Sequence, residues 1–178
     1  MPLSVSRPAL LRRGSDAEFR NLINGLMTIS VRMELIRNHL AERLGVTGPQ
    51  YSLLMAIGHM EGPEGISVGK AAHSLHVTSA FVASESNRLV REGWLEKAPD
   101  TADRRLMLLR LTLRGSKRLA ELGPLIQAVN DGVFGSLSGA DFSMLAELVD
   151  GIVRDSGSTL HRLSAPKHEG TRTDDKNF

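Results

Sequence analysis

Residues 67–112 read SVGKAAHSLHVTSAFVASESNRLVREGWLEKAPDTADRRLMLLRLT, and the organisation of the chain follows from them. Ser67 is placed to cap a short helix that runs to Leu75, and Thr78 to cap another that runs to Glu92 and closes at Gly93. Each carries a hydroxyl that accepts from an otherwise unpaired N–H of a first helical turn. Only His76 and Val77 lie between the two helices. Two short helices joined so tightly are the signature of a helix-turn-helix. After Gly93 the apolar period changes. Trp94–Ala98 and Leu106–Leu111 read as strands around Pro99-Asp100-Thr101-Ala102-Asp103, which is turn chemistry. Two strands around a charged loop make a β-hairpin wing.

Upstream, Ser15 and Glu18 have capping-box spacing, which predicts a first helix from Ser15 that Gly45 ends. Phe19, Leu22, Ile23, Leu26, Met33, Leu40 and Leu44 recur at helical spacing, while Met27, Val31 and Leu35 fall on the opposite side. A helix apolar on two faces needs two partners: its own domain and, by expectation, a second subunit. Thr47 and Gln50 form another capping box, with Pro49 in the first turn. That helix carries Tyr51, Leu53, Leu54, Ile57 and Met60 and stops at Gly62–Pro63. Downstream, Thr112 caps a long helix with Leu119, Leu122, Ile126, Val129 and Val133, and Ser138 with Asp141 caps a last one. The predicted fold class is mainly α with a small β-hairpin wing: four helices, a hairpin and two helices. Residues 1–14 read as a flexible arm and 164–178 as a disordered tail.

Composition narrows the function classes. Only 4% of the 178 residues are aromatic, which favours helices over a β-sandwich. There is no cysteine, which excludes disulfides and thiolate metal sites. The longest apolar runs fall short of the ~20 residues that span a bilayer, and the first fifteen residues hold no continuous apolar core of a signal peptide. No membrane partner and a cytoplasmic location are expected. His73 and His76 have no third ligand near them in sequence, so no metal and no cofactor are expected. Gly65-x-x-x-Gly69-Lys70 departs from the phosphate-loop pattern, and no Ser/His/Asp arrangement stands out, so no enzyme is expected. Residues 78–118 hold nine Lys/Arg against five Asp/Glu, whereas the rest of the chain holds thirteen against fifteen. A positive segment on a near-neutral body suits a phosphate-binding face, and a solvated surface explains it as well.

Three stretches resemble the multiple-antibiotic-resistance regulator (MarR) family. They are Thr47-Gly48-Pro49-Gln50-Tyr51…Leu54, the run Arg88-Leu89-Val90-Arg91-Glu92-Gly93-Trp94-Leu95, and Asp100-x-x-Asp103-Arg104-Arg105 followed by Leu111-Thr112-x-x-Gly115. The resemblance covers about residues 16–163. It implies a winged helix-turn-helix plus a helical dimerisation region. Residues 15–46 would be an N-terminal dimerisation helix, 47–112 the DNA-binding domain and 113–163 the C-terminal dimerisation helices. The implied homodimer places one recognition helix per subunit in a major groove of an inverted-repeat operator in double-stranded DNA, with wings over adjacent minor grooves. Members usually repress transcription, and many release DNA when a small aromatic or phenolic acid binds. The alternative is a DNA-binding regulator with no small-molecule effector.

Residue chemistry nominates the contacts. Base edges should meet the N-terminal part of the recognition helix, where Thr78, Ser79, Phe81 and Ser84 stand. Thr78 is a contact or only a cap. Phe81 touches a thymine methyl or packs within the domain, with Val82 and Leu89 the better fit to a buried face. Family members often have a basic residue where Ser84 stands and apolar ones where Glu85 and Ser86 stand. Glu85 accepts from a cytosine N4 or faces water. Arg88 and Arg91 suit phosphates, or pair with Glu85 or Glu92. At the wing, Arg105 is expected in a minor groove and Arg104 on a phosphate, with Asp103 holding an arginine in pose. For an effector, Arg37 beside Ser30 either pairs with an acid or binds a ligand carboxylate. The resemblance implies an effector cleft between the dimer helices and the winged domain, and Tyr51, Met55 and His59 either line it or serve packing and surface.

Overall fold

The starts of the α-helices at Gly48, Val68, Ser79, Leu113 and Gly139 are each set by a short side-chain-to-backbone bond, and they lie where the sequence places them. The computed structural model describes residues 2–60, 65–101, 103–104 and 106–164. The Gly62–Pro63 stop, Arg105 and the expected tail from 165 onward lie outside the described residues. The elements are α1 (Ala17–Leu44), α2 (Gly48–Met60), β1 (Ile66–Ser67), α3 (Val68–Leu75), α4 (Ser79–Arg91), β2 (Leu95–Pro99), β3 (Met107–Leu111), α5 (Leu113–Phe134) and α6 (Gly139–Ser164). Thr47 N–H donates to Gln50 Oε1 at 3.0 Å and Gln50 N–H to Thr47 Oγ1 at 3.4 Å, the reciprocal capping box that opens α2. Ser138 and Asp141 do the same for α6. The chain divides into two compact units, one up to Ala128 and the other from Val129.

The first unit holds the core. Leu53, Leu54 and Ile57 of α2, Val82 and Leu89 of α4 and Leu109 of β3 have no exposed surface. Each fully buried aliphatic side chain contributes about 1.5–3 kcal/mol. β3 is the central strand of a three-stranded antiparallel sheet, with β1 on one side and β2 on the other. β1 is only two residues long, pairing Ile66 with Leu109 and Ser67 with Leu108, and the sequence reading had the hairpin alone. Of α1, only Leu40, Ala41 and Leu44 near its C-terminus are buried. Leu22, Ile23 and Leu26 of one apolar face are 53%, 41% and 38% exposed, and Met27, Val31 and Leu35 of the other are exposed as well. The second unit contains the end of α5 and all of α6, which buries no residue and leaves Phe142, Leu145, Leu148, Val149 and Ile152 on its surface.

The N-terminus corrects the sequence reading twice. No Ser15–Glu18 capping box forms: Glu18 pairs with Arg12 at 3.1 Å, and Ser15 Oγ accepts from Ala17 N–H at 3.2 Å. The helix therefore starts at Ala17. Residues 2–14, read as a flexible arm, are tied down. Ser4 N–H and Oγ–H both donate to Asp16 Oδ2, at 2.8 and 2.6 Å, while Arg20 holds the other carboxylate oxygen. Arg13 (φ 51°) and Gly14 (φ 76°) make a turn with two left-handed residues, and Arg12 and Ser15 exchange both backbone hydrogen bonds across it.

Candidate nucleic-acid interface

The pose of α4 is fixed at both ends. His76 ends α3 in the left-handed region (φ 53°), and Val77 N–H reaches back to the Ala72 carbonyl at 3.0 Å. Thr78 is extended, and its Oγ1 accepts from Phe81 N–H at 3.2 Å. Thr78 is thus a cap, and the cap leaves its hydroxyl proton to donate elsewhere. At the other end Gly93 (φ 76°) turns the chain into β2. There Thr112 Oγ–H donates to the Gly93 carbonyl at 2.8 Å, and Gly115 N–H donates to Thr112 Oγ1 at 3.0 Å. The guanidinium of Arg118 lies 5.6 Å from the Trp94 ring centre.

One face of α4 is core: Val82, Glu85, Ser86 and Leu89 are buried. Ser79, Phe81, Ser84, Asn87, Arg88 and Arg91 are exposed, so Ser79, Phe81 and Ser84 stand on the free face. Glu85 is the correction here. It neither faces a base nor water: it is 8% exposed and pairs with Arg88 at 3.2 Å. Positions 82, 85, 86 and 89 follow the i, i+3, i+4, i+7 rule of a buried stripe, and Glu85 occupies one of them. Arg88 is therefore engaged within its own helix.

The wing is built from β2 and β3 in the register Leu95↔Leu111 to Pro99↔Met107. Its loop is closed by Asp100 N–H to the Leu106 carbonyl and Leu106 N–H to the Asp103 carbonyl, both 2.9 Å. Asp103 N–H also donates to Asp100 Oδ1 at 3.3 Å, so Asp103 shapes the loop through its main chain. Arg104 is exposed. Two residues that sequence reasoning missed link wing and helix: Lys97 Nζ on β2 donates to Asn87 Oδ1 on α4 at 2.7 Å. Burial pulls the Lys97 amine below its usual range. Asn87 lies on the helical stripe of Ala80, Ala83 and Ser84, and that spacing was the available signal.

The effector candidates do not form one site within the chain. Ser30 and Arg37 line a shallow groove on α1 with Met33 and Glu34. Arg37 Nη2 pairs with Glu34 at 3.2 Å, while its Nε is buried with no hydrogen-bond partner among the described residues. Tyr51 is a core residue, and burial raises its phenol above the usual range. Met55 and His59 line a separate groove of about 390 Å³ with Leu111, Ser116, Leu119, Ile126 and Gln127. Among the described residues no group of three His, Asp or Glu is placed to hold a metal ion, and no helix is long and apolar enough to cross a membrane.

Residues 44–106 match the MarR family model. A transcriptional regulator, HosA of Escherichia coli O111:H-, is 32% identical over 120 residues, covering 65% of this chain and 87% of its own. The chain belongs to the MarR family. A second relative, the HTH-type transcriptional repressor YetL of Bacillus subtilis (strain 168), is 26% identical over 152 residues, 85% of this chain and 86% of its own. The MarR fold is equally plain in solved structures. A MarR family transcriptional regulator from Silicibacter pomeroyi superposes with a TM-score of 0.68 at 23% identity, over 80% of this chain and 95% of that one. A MarR variant from E. coli complexed with operator DNA superposes with a TM-score of 0.63 at 21% identity, over 76% and 95%.

Proposed function

We propose that the chain is a homodimeric, DNA-binding transcriptional repressor that recognises an inverted-repeat operator. The observation that carries this is α4: a helix fixed at both ends, with a polar exposed stripe, next to a β-hairpin with an arginine on its loop. Ser79 and Ser84 meet base edges in the major groove, Phe81 meets a thymine methyl, and Thr78 donates its remaining proton to a phosphate. Arg104 and Arg105 engage the backbone and minor groove from the wing. The operator complex of E. coli MarR supports this docking. The apolar surfaces of α1 and, separately, of α6 support a second copy as the partner that covers residues 15–46 and 113–163.

Release by a small aromatic carboxylate is part of the reading. Its support is the apolar groove with His59, Ser116 and Gln127 at hand, and a solved relative, Bordetella bronchiseptica BpsR, whose DNA binding is regulated by 6-hydroxynicotinic acid. The ion pair between Arg37 and Glu34 favours the second reading, a regulator without an effector. Gel shifts on a fragment carrying the chain's own upstream region, with mass measurement in solution, test the DNA-binding dimer. A monomer with no promoter preference in dilute salt ends the proposal. Calorimetry across a panel of aromatic acids separates the two readings.

A further inference from the structure

We propose that Asn87, held by Lys97, reads a guanine in each half-site, a contact separate from those of the first turn of α4. This deepens the DNA-binding reading above and rests on it. Asn87 is exposed in the third turn, on the stripe of Ala80, Ala83 and Ser84. It lies about 10 Å along the axis from Ala80, the length of seven helical residues. Alanine and serine are short, so Asn87 carries the longest neutral polar side chain on that stripe.

The chemistry of the pair decides what it reads. An ammonium has three donors and no acceptor, so the amide atom 2.7 Å from Lys97 Nζ is necessarily the oxygen. The Nδ2 hydrogens therefore point away from Lys97. An unhindered asparagine reads adenine with both ends, accepting from N6 and donating to N7. Here the accepting end already holds a cation. A second donor brought to that oxygen meets the ammonium charge, so adenine N6 is disfavoured. Guanine presents two acceptors, O6 and N7, which suit the amide hydrogens and the spare ammonium donors. A brace alone would leave base preference unchanged.

Selection from a pool of random 30-base-pair duplexes, with the full chain as dimer, tests this. The wild type is expected to enrich a G·C pair at one symmetric position in each half-site. Asn87→Ala should lose that preference alone and bind the wild-type consensus about tenfold more weakly. Lys97→Met frees the oxygen and should move the position from guanine towards adenine. Lys97→Arg, which keeps a cationic donor, should retain guanine, and its melting curve alongside that of Lys97→Met reports on folding. Identical consensus sequences for the wild type, Asn87→Ala and Lys97→Met overturn the inference and leave the DNA-binding reading standing. A wild-type chain that enriches nothing overturns both.

Discussion

Gly115, in the first turn of α5, lies against the main-chain carbonyl of Trp94, so closely that a β-carbon at 115 would stand 2.4 Å from that oxygen. The carbonyl is backbone and cannot rotate away. Together with the Thr112 hydroxyl it joins the start of α5 to the turn that ends α4. Gly115→Ala should therefore destabilise the first unit by about 1–3 kcal/mol, as overpacking does. A drop of about 2–12 °C in melting temperature is the expected reading. An unchanged melt would mean that the junction gives way freely.

Glu85→Leu tests the buried carboxylate. Position 85 belongs to the core stripe of α4, and replacing a buried ion-paired group by a well-packed apolar one is neutral or stabilising. The substitution also releases Arg88. Thermal stability should be equal or higher, and log affinity for DNA should fall more steeply with log salt, by about 0.9 for one added phosphate contact. A large loss of stability would show that the pair with Arg88 is needed for folding.

The wing arginines separate by their salt dependence. Arg104→Ala should weaken binding to all sequences and reduce the salt slope by about one contact. Arg105→Ala should weaken operator binding clearly, most at A·T-rich flanks, and preserve the dimer. An unchanged gel-shift midpoint would remove Arg105 from the mechanism.

Asp16 makes the N-terminal tie pH-dependent. The Ser4 hydroxyl bond first, then the Ser4 N–H and the Arg20 charge, outweigh burial and hold its carboxyl below the ordinary 3.8. A carboxyl depressed on folding contributes stability that is fully present above pH 3.8 and fades as pH falls through the folded value. Ser4→Ala should thus lower stability at pH 7, and the difference from the wild type should shrink in acid. Denaturant titrations at pH 7 and pH 3 measure it. A difference that persists unchanged in acid would mean that the Ser4 contact does not depend on the ionised carboxylate.

What sequence could show was local. The caps by Ser67, Thr78 and Thr112 and the Thr47–Gln50 and Ser138–Asp141 boxes join residues three apart, and each helix start that depends on them was readable. The tie from Ser4 to Asp16 spans twelve residues, and no periodicity reports it. The same holds for Lys97 and Asn87, which lie on different elements. Glu85 was misread for another reason: its side chain argued for solvent while its position, three after Val82 and four before Leu89, argued for the core, and the position prevailed. Ser30 with Arg37 and Met55 with His59 were grouped by resemblance, and within one chain they line different grooves.

The two-residue link between α3 and α4 has a consequence for how such a protein diverges. With the Val77 and Phe81 amides both engaged, the junction has no slack, and one inserted residue would turn the helix by about 100° and bring a different row of side chains outward. Length is therefore frozen while lettering is free. On the proposed DNA-binding reading, new operators can be acquired by swapping single letters along one row, with the hinge left untouched.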